Sequence, residues 1–327
     1  MAGWRSTGLV GVGVNERGVG SQVRRHAALI YRDPAEYAAS VNAFVQAGRT
    51  AGEPVFIAVP SAHWQVFGRP PFGAVSDGAS VTLADMEELG RNPARVISAI
   101  REFADLYPGR AIRYVGEPLW PSRTLAEREE IARLEALLNV AFPDGRVSMI
   151  CAYNASTLPT SVISAACNCH SSVLSGGQER SNPAFNGSYK VATWLDAPLP
   201  QPPTGAQELD YDYDLRPLRA FVAAAADSAG LTGVRRTDLV IAASEIGANT
   251  LRHTAGGGVL RIWQSQAEVI CQLDDGGYIA DPLAGQFKPL RNQAGGHGLW
   301  LVNQVCDLVQ IRTSNLGTTV RLHMRKG

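Results

Sequence analysis

Glu245 and Asn249 stand four residues apart in Ser244-Glu245-Ile246-Gly247-Ala248-Asn249, a spacing that puts a carboxylate and a carboxamide on one face of a helix. The amide oxygen is a neutral hard ligand for Mg²⁺, and the carboxylate orients or deprotonates an attacking nucleophile, so the pair suits a metal–nucleotide site. Taken alone, the pair reads more readily as an ordinary solvated helix face. Further on, Asp274-Asp275-Gly276-Gly277 follows an apolar run. There a carboxylate can accept from an exocyclic amine while glycines let the backbone approach a flat ring; an ordinary hairpin turn has the same composition. Gly295-Gly296-His297-Gly298-Leu299 leads into a helical pattern, and glycines there expose N–H groups suited to phosphate, although a flexible loop reads the same way.

The elements that must position these residues lie on both sides of a Pro-rich stretch. Pro198, Pro200, Pro202, Pro203 and Gly205 exclude helix and central strand, so residues 191–207 form a linker and 190–214 bracket a domain boundary. Beyond it, residues 215–229 and 237–253 read as helices, 259–263 and 268–273 as a strand pair, 299–307 as a third helix and 318–324 as a closing strand. This half is α+β, with helices on one face of a mostly antiparallel sheet. Before the linker, short apolar runs at 27–31, 55–59, 81–83, 112–115 and 147–152 alternate with helical patterns, among them one opened by Asp33-Pro34 and one over 124–139. That alternation predicts a three-layer α/β domain with a mostly parallel sheet. Residues 1–22 have no clear period and read as a disordered tail.

A chain of 327 residues fits two domains at about 100–200 residues each. Thirty Lys and Arg balance thirty Asp and Glu, so no global field points to nucleic acid or an anionic membrane. No run approaches the ~18 apolar residues of a spanning helix. Five cysteines, Cys151, Cys167, Cys169, Cys271 and Cys306, are odd in number and scattered, which predicts reduced thiols and a cytoplasmic location.

The order of the three signatures, followed by Gly317-Thr318 entering a strand, resembles the GHKL, or Bergerat-fold, ATPase superfamily over residues 208–327. The resemblance implies ATP and Mg²⁺ as cofactors. It implies that Asn249 holds Mg²⁺, Asp275 binds the adenine amine, Gly277 lines the base, Gly296 and Gly298 face the phosphates, and Thr318 helps fix adenine. Residues 278–294 correspond to a nucleotide lid, whose Lys288 and Arg291 are cations near the phosphates; a solvated lid charge is an equal reading. The compact lid and Arg252-His253 look most like the RsbW-type branch, which implies Glu245 as catalytic base, serine phosphorylation, an anti-anti-sigma (STAS) or sigma-factor partner and a homodimer. A sensor histidine kinase is excluded, because no histidine lies between Val191 and Ala229 to serve as phosphoacceptor.

The first domain lacks a phosphate loop motif. Its segments Arg25-His26-Ala27-Ala28-Leu29-Ile30-Tyr31, Gly90-Arg91-Asn92-Pro93-Ala94-Arg95, Gly116-Glu117-Pro118-Leu119-Trp120 and Cys151-Ala152-Tyr153-Asn154 resemble the MEDS sensory domain; the similarity covers about residues 23–185, within a domain of 23–190. That resemblance implies an unidentified small-molecule ligand, and the combined arrangement is similar to RsbA-family anti-sigma regulators. Glu117, at the end of a predicted parallel strand, and His26 are candidate sensory residues; a loop carboxylate and a strand-end histidine are the plain alternatives. Cys167-Asn168-Cys169-His170 has the residue types for zinc or thiol redox sensing, but no second ligand pair lies nearby. The expected function is an ATP-binding serine kinase-type anti-sigma regulator under sensory control, the alternative a non-catalytic nucleotide-dependent module that sequesters its partner.

Overall fold

The computed structural model describes residues 26–67, 80–185, 197–290 and 295–326. The tail expected over 1–22 and the lid cation Arg291 lie outside the described residues.

Strands β1 (His26–Tyr31), β2 (Val55–Val59), β3 (Val81–Asp85), β4 (Ile112–Gly116) and β5 (Val147–Asn154) form a parallel sheet in the order β3-β2-β4-β5-β1. Their near-continuous burial, complete along β2, is what a sheet covered on both faces requires. One face packs Tyr114, Met149 and Cys151 against α3 (Arg95–Asp105), α4 (Leu125–Ala141) and α5 (Thr160–Cys169). The other packs Leu29, Ile57 and Val115 against α1 (Pro34–Thr50), while the single turn α2 (Met86–Leu89) after β3 puts its Met86 into the first face. The Asp33-Pro34 opening works as expected: the Asp33 side chain accepts from the Ala35 N–H, and proline occupies the first turn. Helix α4 starts with a full capping box between Thr124 and Glu127.

The sheet is larger than the apolar runs indicate. Short strands β6 (Ser172–Ser175), parallel to β1, and β7 (Gln178–Ser181), antiparallel to β6, extend it past the strand expected to be last. β6 offers only Val173 and Leu174 between two serines, too short a run to show a period, and β7 is Gln-Glu-Arg-Ser and fully exposed.

The second domain is a five-stranded antiparallel sheet in the order β11-β12-β10-β9-β8. Its strands are β8 (Gln207–Tyr211), β9 (Gly258–Gln264), β10 (Glu268–Asp275), β11 (Leu308–Ser314) and β12 (Gly317–Arg325). Helices α6 (Leu215–Ser228), α7 (Gly233–His253) and α8 (His297–Val305) cover one face, burying Leu218, Leu239, Ile246 and Val302 against Leu260, Cys271 and Leu322. Two strands correct the sequence reading. β8 falls inside the supposed boundary, since its exposed Gln207 and Glu208 look like linker, and β11 begins only two residues after α8, past Cys306 and Asp307, which the sequence reading places in the helix. Part of the Pro-rich linker is also packed, because the Arg321 guanidinium donates to the Pro200 carbonyl at 2.5 Å.

The two domains dock through charged and polar pairs. Asn92 donates to the Asn303 carbonyl (3.0 Å), the Trp300 indole to Ser98 (3.3 Å), and Arg91 pairs with Asp307 (2.9 Å). Helix α4 adds Glu127 to Arg325 and Glu130 to Arg312, each at 2.7 Å.

Candidate functional site

Helix α7 carries Glu245 and Asn249 one turn apart, and its packing on α8 brings both to the Gly-rich segment. A Cβ added at Gly298 would lie 2.7 Å from the Glu245 carboxylate and 3.5 Å from the Asn249 amide. A side chain at 298 would have to push the Glu245 carboxylate aside for the two motifs to meet as they do. Gly295 (φ 89°) and Gly296 (φ 82°) are left-handed, turning the chain so that α8 begins at His297 without any side-chain cap. Its first N–H groups are therefore left for an anionic ligand. Asn249 accepts a hydrogen bond from Arg252 at 3.1 Å, which holds the amide oxygen on the cavity side of the helix.

The Asp275 end of the site is built by strand register. Antiparallel pairing sets Asp275 of β10 opposite Thr318 of β12, and Thr318 opposite Thr313 of β11. Buried Tyr211, whose phenol is pushed up to about 12 by burial and so stays a donor, lies 3.0 Å from Thr250. Thr250 donates to Asp275 at 2.6 Å, and the Gly277 N–H donates to the other carboxylate oxygen at 2.7 Å. Thr318 donates to the Gly277 carbonyl (2.9 Å) and lies 2.9 Å from Thr313, which accepts from the Ile279 N–H. Asp275 is thus fixed by two donors while each oxygen keeps a lone pair for an incoming amine.

These ends share one open cavity of about 1130 Å³ lined by Glu245, Asn249, Asp275, Gly277, Gly298 and Thr318. Lys288 also lines it, but its amine lies 3.3 Å from Glu102 and 5.8 Å from the Trp300 ring. In this arrangement it latches the lid to the first domain rather than reaching the α8 terminus.

Residues 25–171 match the family model of the MEDS domain, the methanogen/methylotroph DcmR sensory domain, and residues 208–324 that of the histidine kinase-like ATPase domain. The chain is a MEDS domain joined to a histidine kinase-like ATPase domain. None of the curated proteins compared matches it. The pairing is that of a nucleotide-binding signalling regulator, and an ATPase domain of this class implies ATP as ligand, usually with Mg²⁺. The residues fit that group: glycine at 298 leaves the space a phosphate needs beside Asn249, and the uncapped α8 terminus supplies donors. No described helix is long and apolar enough to cross a membrane.

In the MEDS domain the two sequence candidates do not form one site. Glu117 follows β4 at the carboxyl edge of the sheet, where it is 4% exposed. It accepts from Tyr31 at 2.7 Å and meets His63 Nδ1 at 2.7 Å. His26 begins β1, the strand that Tyr31 ends, so they are separated by a strand length of roughly 16 Å. Tyr31, which ends one of the MEDS-like segments, gathers at Glu117 with Tyr37 and His63, neither of which the sequence singles out as a sensory residue. The Cys167–His170 run is not a unit either. Cys169 points at the Ala132 carbonyl at 3.7 Å, and burial pushes its thiol up to about 12 and that of Cys167 upward too. Neither cysteine is poised as a reactive thiolate. A smaller cavity of about 130 Å³ opens between α4 and α5, lined by Leu119, Ile131, Glu135, Tyr153 and Val162. The Gly90–Arg95 segment, read from sequence only as a family feature, forms the docking edge against α8 through Arg91 and Asn92.

Proposed function

We propose that this chain is an ATP-Mg²⁺-dependent anti-sigma regulator of the serine-kinase type, in which the MEDS domain governs how the ATPase domain treats a sigma-regulatory protein. The observation that carries this reading is the meeting of Glu245, Asn249 and Gly298 at an uncapped helix terminus. Asn249 would hold the metal against the phosphates. Glu245 would accept the proton of an acceptor hydroxyl, the step that makes serine a nucleophile. A sigma factor or a STAS-type anti-anti-sigma protein is the partner, and a small molecule at the MEDS domain is the input. Control follows from docking, because a ligand that favours one arrangement of the domains must change nucleotide or partner affinity by the same factor that nucleotide changes its own.

Calorimetric titration of the chain with ATP, with and without Mg²⁺, beside Asn249→Ala tests the binding step. Magnesium-dependent affinity that disappears in the variant supports the site, and equal affinities in both proteins refute it. Glu245→Ala then separates catalysis from sequestration. A kinase loses phosphotransfer while retaining ATP, whereas a protein that works only by nucleotide-dependent contact still inhibits its partner.

A further inference from the structure

His26, Glu135, Cys151 and His170 come from β1, α4, β5 and the residue that ends α5, yet one ligand-type atom of each lies within 4.8 Å of all the others. All four are buried, at 3%, 2%, 1% and 0% exposure. Glu135 Oε2 is 3.2 Å from His26 Nε2 and 3.3 Å from His170 Nε2, and Cys151 Sγ is 3.4 Å from His26 Nε2.

The surrounding hydrogen bonds fix where the protons are. Asn139 spends its amide N–H groups on the carbonyls of Glu135 (3.0 Å) and Cys169 (2.9 Å), so its oxygen faces His26 Nδ1 as an acceptor at 3.1 Å. His26 must carry its proton on Nδ1. His170 Nδ1 likewise faces the Ala166 carbonyl at 2.7 Å and must donate to it. Both neutral imidazoles therefore turn an Nε2 lone pair toward the Glu135 carboxylate, and His170 Nε2 and Glu135 Oε1 have no hydrogen-bond partner among the described residues. Lone pairs and an anion converging in a dry core repel each other unless a cation sits between them.

We propose that these four side chains bind one divalent transition-metal ion of the zinc class. Two imidazoles, a thiol and a carboxylate are a borderline donor set that selects such ions over Mg²⁺ or Ca²⁺. Three of the six separations, 3.2–3.4 Å, match the edges of a tetrahedron with metal–nitrogen bonds of about 2.0–2.1 Å, roughly 3.3–3.4 Å, and the others, within 4.8 Å, close by small side-chain rotations. On binding, Cys151 loses its proton to solvent, and the thiolate and carboxylate together balance the charge of the ion. Asn139 and the Ala166 carbonyl are the outer groups that orient the imidazoles. The site is enclosed on the protein side, and Glu135 at its margin also lines the 130 Å³ cavity, so a small molecule there would lie next to a metal ligand. This inference does not depend on the ATPase reading.

The test uses the untagged full chain, purified without chelator. Elemental analysis is expected to give about one transition-metal ion per chain. After chelation and reconstitution with Co²⁺, the spectrum should show intense four-coordinate ligand-field bands and a thiolate-to-cobalt charge-transfer band. Cys151→Ser should abolish the charge-transfer band, while Cys167→Ser, away from the cluster, should retain it. If Cys151→Ser does not fold, the wild-type and Cys167→Ser spectra still decide whether a cysteine-ligated tetrahedral ion is present. A folded wild-type chain that contains no metal and takes up neither Zn²⁺ nor Co²⁺ overturns the proposal. In that event ¹⁵N spectra should show Nε2–H on His26 or His170, identifying a protonated imidazole as the cation.

Discussion

Glu130 and Glu135 lie on one helix and face opposite partners. Five residues correspond to a rotation of about 140° around α4: Glu130 meets Arg312 of the ATPase sheet at 2.7 Å, while Glu135 meets His26 and His170 inside the MEDS domain. Glu127, one turn earlier, caps the helix and also reaches Arg325. Any change that shifts α4 in the MEDS core must therefore move groups that hold the ATPase domain.

Glu130 and Arg312 are 8% and 7% exposed at their side chains, and burial pushes the Glu130 carboxyl upward against the opposing pull of Arg312. Removing one member strands a buried charge. Glu130→Ala is expected to lower stability by about 3 kcal/mol or more, whereas the apolar double replacement Glu130→Met with Arg312→Leu should recover most of it. Urea unfolding of the single and double variants measures the difference, and an additive double loss would show that the pair carries no coupling.

The elements whose residues repeat a hydrophobic period were legible in the sequence: β1 to β5, α4 with its Thr124 cap, and the α7 helix bearing Glu245 and Asn249. So were the three signatures that the fold brings to one cavity, because each is contiguous. β6, β7 and β8 were not, since their outward residues are polar and their stability comes from pairing with neighbours far along the chain. The Glu135 cluster was illegible for the same reason. Its members are far apart in the chain, 109 residues between His26 and Glu135; His26, Cys151 and His170 each fall in a segment that draws notice, but separately, and Glu135 looks like one more acidic residue of an amphipathic helix. The docking of Asn92 and Arg91 on α8 depends on the relative placement of two domains, about which local sequence says nothing.

Gly298 faces the Glu245 carboxylate so closely that a methyl group at that position would lie 2.7 Å from it. Gly298→Ala improves helix propensity but must displace Glu245 or fill phosphate space. ATP affinity is expected to fall about tenfold or more, a cost on the order of 1–3 kcal/mol for a forced contact, with little change in thermal stability. Calorimetry beside a melting curve separates the two effects, and unaltered affinity would place the phosphates elsewhere.

Asp275 accepts from Thr250 at 2.6 Å and from the Gly277 N–H at 2.7 Å. Asp275→Asn replaces one acceptor oxygen with a donor that faces a donor. The variant should lose about 1–3 kcal/mol of stability and weaken ATP more than inorganic triphosphate, because the lesion is at the base end. Competition titrations with the two ligands measure the ratio; equal weakening would mean that Asp275 supports the fold without touching the base.

His63 is raised above the ordinary imidazole value, first by its hydrogen bond to Glu117 and then by the charge of that carboxylate, against the opposing effect of partial burial. A raised value means that the folded state holds the proton more tightly than the unfolded state does. The stabilisation is complete below the unfolded value near 6.5 and is lost as pH rises through the folded one. The imidazole resonances of His63 should titrate with a midpoint above 6.5, and Glu117→Gln should bring that midpoint down. An unchanged midpoint in the variant would remove Glu117 as the cause.

Among the described contacts that tie residues 278–290 to the MEDS domain are Lys288 to Glu102 at 3.3 Å and the Arg101 guanidinium over the Phe287 ring at 5.0 Å, beside Leu283 and Phe287 packed on its core. The ion pair is about half exposed, so its worth is at most about 1 kcal/mol and is screened by salt. Glu102→Gln should therefore change ATP affinity by no more than about fivefold at low salt and leave it unchanged at high salt. Arg101→Ala removes a contact that salt screens much less, because the ring packs against a half-buried stem, and its effect should persist at high salt. Titrations of both variants at two ionic strengths distinguish a lid restrained by the MEDS domain from one that moves independently of it. In the second case neither variant alters nucleotide affinity at either salt concentration.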